Sequence, residues 1–140
     1  MGERMNLTIV YLDDDVKMKE DAFLDDVRDD VDDIQCFEKP ADGLSYIKGH
    51  LDHNIVVILD WKFNSSYMQG TDVLNNIDRI SVLVPVIIFT GATIDATDAS
   101  KMFKGHAFSC VPKDATTEEL LVAISNAYDR IQNDIRSVME

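Results

Sequence analysis

Five short apolar runs alternate with stretches of helical periodicity, and this alternation constrains the fold more than any other feature of the sequence. The runs cover residues 7–12, 34–37, 55–59, 84–89 and 107–111. The third and fourth, IVVIL and VPVIIF, are apolar at nearly every position, as strands covered on both faces must be. Between the runs, Val16, Phe23, Val27 and Val31 recur at helix spacing after Asp15, a favourable N-cap residue. Leu44, Ile47 and Leu51 mark a second helix, and Val73, Leu74, Ile77 and Ile80 a third. A fourth, weaker stretch runs from about Asp95 to Lys104. The last helix opens on the capping-box spacing Thr116-x-x-Glu119 and continues to the end of the chain. Five strand–helix units in succession predict an α/β domain with a parallel sheet and helices on both faces.

Right-handed crossovers leave few topologies, and at this size the flavodoxin-like (βα)5 doubly wound sheet, strand order 2-1-3-4-5, is the expected one. In that order the second and fifth strands are the sheet edges, roughly 19 Å apart, whereas a disulfide needs Cα atoms within about 7 Å. Cys36 and Cys110, one on each edge, are therefore expected to be unpaired, buried and reduced. Neither has the spacing of a metal knuckle or a redox pair, and His50, His53 and His106 show no ligand spacing, so no zinc site is supported.

A chain of 140 residues is long enough for one real core and too short for two. Its longest apolar run, residues 82–89, contains a proline and cannot span a membrane, and no signal-peptide core precedes it. A cytoplasmic location is the default expectation. Twenty-six acids against thirteen bases give a net charge of −13, which repels nucleic acid and anionic membranes. Eleven of the acids fall between Asp13 and Asp33, beside only three bases. Most of them read as a solvated helix face; the triplet Asp13-Asp14-Asp15 does not.

In a sheet of this kind, ligands bind beyond the carboxyl ends of the strands. Here the first strand runs into Asp13-Asp14, the third into Asp60, the fourth into Thr90 and the fifth into Lys113. Carboxylates brought together repel, so such a crevice is stable and ionised only beside a cation. An all-oxygen donor set that also admits phosphate oxygens suits Mg²⁺. An aspartate next to that ion can act as a nucleophile toward phosphorus, with Lys and Thr holding the phosphoryl oxygens.

This constellation resembles the receiver domain of two-component response regulators, the CheY-like family. The resemblance extends to about Tyr128 and rests on IVYLDDD, IVVILDW, VPVIIFTGA and AFSCVPK. From Asp14 to Asp60, Thr90 and Lys113 the successive spacings are 46, 30 and 23 residues, close to the family pattern. The resemblance implies that Asp60 is the phosphoacceptor, that Asp14 ligates Mg²⁺ directly, and that Asp13 acts largely through water. It further implies that Lys62 lends its backbone carbonyl to the metal and that Thr90 and Lys113 respond to the phosphoryl group. Asp15 is then a helix cap. The implied function is a phosphorylatable receiver, not an enzyme in its own right. It would be charged by a histidine kinase or phosphotransfer protein and would switch conformation toward a downstream protein.

Three departures stand out. The segment after Asp60 lacks the usual Met-Pro pair and reaches a glycine, Gly70, only ten residues on. Lys113 is followed by Asp114 where the family has proline. Cys110 occupies the position of the usual aromatic switch residue. One rival reading is a degenerate receiver, a protein-interaction module that is never phosphorylated. A second, an Asp-nucleophile phosphatase suggested by Asp13-x-Asp15, would leave Asp60 and Thr90 unexplained. Residues 1–128 are expected to form the receiver, and residues 129–140 to extend the last helix past it. There Ile131, Ile135 and Val138 continue a seam that could pair with a second copy or lead to a further domain.

Overall fold

The computed structural model describes residues 4–13, 22–61, 69–91 and 93–139. Along the chain these form β1 (Met5–Leu12), α1 (Ala22–Arg28), β2 (Val31–Phe37), α2 (Pro40–Gly49) and β3 (Ile55–Leu59). There follow α3 (Gly70–Ile80), β4 (Val86–Thr90), α4 (Ala96–Lys104), β5 (Ser109–Pro112) and α5 (Thr117–Met139). All strands run parallel in the order β2-β1-β3-β4-β5. This is the expected flavodoxin-like arrangement.

Side-chain alternation along the strands splits the core into two layers. Ile9, Tyr11, Ile58 and Phe89 face α1 and α5, whereas Val10, Val57, Leu59 and Ile88 face α2, α3 and α4. Every residue of β3 is buried, which accounts for the unbroken IVVIL run at the centre of the sheet. Local signals set the helix ends. Pro40 sits in the first turn of α2, where no backbone donor is lost. Asp95 accepts from the Asp98 amide at 2.8 Å to start α4, and Thr116 and Glu119 bond reciprocally at 3.2 Å to start α5.

Several boundaries differ from expectation. Val31 does not continue the first helix; it opens β2, opposite Met5 of β1. The Met5 amide captures the Asp30 carbonyl at 2.8 Å, so the sheet competes for the backbone that a further helical turn would use. Both Val27 and Val31 bury in the same layer, which is why their spacing looked helical. Leu51 lies beyond α2, which stops at Gly49, and is exposed. Asp15 and Val16 lie outside the described residues. Cys36 and Cys110 form no disulfide, as expected, but Cys36 is only half-buried and Cys110 is exposed. Both stand on edge strands, with a neighbouring strand on one side only. Ile131, expected on a seam toward another chain, is instead buried in the layer beneath α5. Ile135 and Val138 remain 43% and 84% exposed.

Candidate functional site

The register of the central strands brings the acidic residues together. Leu12 and Leu59 are partners across β1 and β3, so the residues that follow them, Asp13 and Asp60, emerge side by side. The Asp60 amide donates to the Leu12 carbonyl at 2.9 Å, carrying the ladder one residue past the strand. On the other side, the Asp13 amide donates to the Phe37 carbonyl at 3.2 Å. The Lys113 amide donates to the Thr90 carbonyl at 2.9 Å, so both of these residues are fixed at the same edge.

The side chains converge as well. Lys113 Nζ lies 3.0 Å from Asp13 Oδ2 and 3.6 Å from Asp60 Oδ2. Asp13, Asp60 and Thr90 are only 1%, 9% and 2% exposed. One ammonium thus stands between two nearly buried carboxylates. Burial alone would lower the Lys113 pKa, but the hydrogen bond to Asp13 and the charges of Asp60 and Asp13 outweigh it and raise it above the ordinary 10.5. Lys113 is therefore charged throughout the neutral range.

Of the residues expected at the site, the structure brings together Asp13, Asp60, Thr90 and Lys113. Asp14 and Lys62 lie outside the described residues. Among the described residues no group of three metal-binding His, Cys, Asp or Glu side chains is assembled. What they do provide is a pair of hard oxygen donors, Asp13 and Asp60, whose mutual repulsion one lysine only partly offsets. A divalent cation with oxygen preference fits that donor set.

Three further residues had no assigned part in the sequence reading. The Tyr11 hydroxyl donates to Asp13 Oδ2 at 3.1 Å. Its position two residues before Asp13 was the available signal, since alternate residues of a strand share a face. Trp61, directly after Asp60, is buried and donates its indole N–H to Asp98 Oδ1 of α4 at 2.9 Å. A buried indole needs an acceptor, but a partner 37 residues away cannot be read from spacing. The third is Gly70. A Cβ there would overlap the Trp61 carbonyl oxygen, so α3 reaches the backbone beside Asp60 only because the residue is glycine. Gly70→Ala is expected to cost about 1–3 kcal/mol, the usual penalty of forced overpacking. Chemical denaturation against the wild type measures this; an unchanged midpoint would mean that α3 and Trp61 move apart freely.

The sequence model of the response regulator receiver domain matches residues 9–125. No curated protein matches the chain. Among solved structures, a CheY-like response regulator receiver domain protein from Methanospirillum hungatei JF-1 superposes with a TM-score of 0.80 at 16% identity, covering 95% of this chain and 99% of that one. A response regulator receiver domain protein from Clostridium thermocellum gives 0.75 at 27% identity, covering 90% and 97%. The N-terminal domain of a response regulator/sensory box/GGDEF three-domain protein from Carboxydothermus hydrogenoformans gives 0.75 at 17%, covering 91% and 98%.

Proposed function

Because the chain belongs to the family of response regulator receiver domains, we propose that it accepts a phosphoryl group on Asp60 from a histidine kinase or a phosphotransfer protein. The observation that carries this reading is the Lys113 ammonium held between Asp13 and Asp60 at the carboxyl edge of the sheet. An Asp60 carboxylate oxygen attacks phosphorus in line. The new O–P bond forms as the N–P bond of the donor phosphohistidine breaks, and the imidazole keeps that electron pair and takes up a proton. Lys113 then pairs with a phosphoryl oxygen, and the Thr90 hydroxyl holds another. Asp13, Asp14, Asp60 and the Lys62 backbone carbonyl would hold Mg²⁺, which when bound offsets the charge building up on the transferring group.

Output would run through Thr90 and the face of α4 and α5 toward a downstream protein. Cys110 offers no ring for the usual aromatic switch, and the Trp61–Asp98 hydrogen bond ties the acceptor end of β3 to α4. Residues 1–128 are read as the receiver and 129–140 as its helical extension. A homodimer built on the seam of the last helix would use Ile135 and Val138, because Ile131 is buried. Among the described residues no helix is long and apolar enough to cross a membrane.

The only tryptophan adjoins the acceptor, so its fluorescence is the direct probe. Addition of Mg²⁺ is expected to change Trp61 emission saturably, and beryllium fluoride, a phosphoryl mimic, to change it again only when Mg²⁺ is present. No response to either would favour the degenerate, phosphorylation-independent receiver.

A further inference from the structure

Tyr11 is a fully buried phenol in the strand that leads into the acidic site, and its hydroxyl spends its proton on the site itself. Asp13 Oδ2 accepts from Tyr11 at 3.1 Å and from Lys113 Nζ at 3.0 Å, so one donor from β1 and one from just past β5 fix one carboxylate oxygen. The phenol is anchored in turn. Its ring packs edge-on against Phe89, with centroids 6.4 Å apart and planes at 78°, and Phe89 directly precedes Thr90. An apolar side chain at residue 11 would leave Oδ2 with one of these two donors fewer.

From this geometry we infer that Tyr11 is a positioning residue for the cation site, resting on the reading of that site proposed above. Two consequences follow. Held at Oδ2 from the interior, the Asp13 carboxylate keeps one orientation about its terminal bond, and hydrogen-bonded outer partners of this kind sustain metal affinity. Second, when Lys113 turns toward a phosphoryl oxygen, Oδ2 still has the phenol as donor. The lysine therefore leaves without stripping a buried carboxylate oxygen of its hydrogen bonds.

Tyr11→Phe removes the hydroxyl and keeps the ring, so Mg²⁺ titration of Trp61 emission isolates the effect. The variant is expected to bind Mg²⁺ about tenfold more weakly than the wild type, the low end of the range for lost outer-shell partners. Ile124→Val serves as the control: it trims the same core layer away from the site and should lower the melting temperature with the Mg²⁺ dissociation constant unchanged. A Tyr11→Phe protein that melts lower but binds Mg²⁺ as the wild type does would overturn the inference and leave the site reading intact. A wild type that does not respond to Mg²⁺ would overturn both.

Discussion

Replacing Lys113 with methionine is expected to cost the cation-free domain about 1–3 kcal/mol and to make its stability depend more steeply on Mg²⁺. The methionine keeps most of the apolar stem and removes the charge. What remains is Asp13 and Asp60, with side chains 2% and 12% exposed, facing each other without the ammonium between them. Stripping one partner from a fully buried pair costs about 3–5 kcal/mol. The Lys113 side chain is 34% exposed, so solvent already screens part of its interaction and the lower figure applies. On the proposed reading Mg²⁺ would supply the missing positive charge, and binding to the folded state alone would stabilise it by mass action.

The pH dependence has a definite sign. Because Lys113 has a raised pKa in the folded protein, its contribution is complete below the ordinary 10.5 and is lost as pH rises through the folded value. The wild-type advantage over Lys113→Met is therefore expected to be flat between about pH 6 and 9 and to shrink only above 10.5. Urea denaturation across that range, with and without Mg²⁺, measures both effects. Equal stability of the two proteins without Mg²⁺ would mean that the ion pair contributes nothing.

How much of this was legible in the sequence depends on whether the signal was local. Strand β3 was readable to the residue, because a central parallel strand is apolar throughout and a five-residue run rich in β-branched side chains is too short for a buried helix. The Thr116–Glu119 box is a contact over three residues and marked the start of α5, whereas the Asp95 cap, equally local, was not read and α4 was placed only roughly. Asp13, Asp60, Thr90 and Lys113 were readable as a group because strand order alone carries four strand ends to one edge. Val31 misled, since four residues after Val27 is correct spacing for a helix and also for a strand that returns to the same layer. The expected burial of Cys110 failed although its strand was expected at an edge: an apolar run does not show which of its side chains a single neighbouring strand leaves uncovered. Partners chosen by tertiary packing were out of reach altogether. Nothing in the spacing pairs Trp61 with Asp98, whereas the phenol on Asp13 is a contact over two residues of a strand.

Asp60→Asn is the variant with the largest expected effect on function. It keeps the size and the polar outline of the side chain and removes the carboxylate proposed as the nucleophile. It also removes one of two opposed charges, leaving Lys113 to pair with Asp13 alone, so the cation-free protein should be more stable than the wild type while losing most of its Mg²⁺ response. The decisive measurement is intact mass spectrometry after incubation with an acyl phosphate donor and Mg²⁺. The wild type should gain the mass of one phosphoryl group, located by fragmentation at Asp60, and Asp60→Asn should gain none. A wild type that stays unmodified, or an Asp60→Asn protein that is modified equally, would contradict the assignment of Asp60 as the phosphoacceptor.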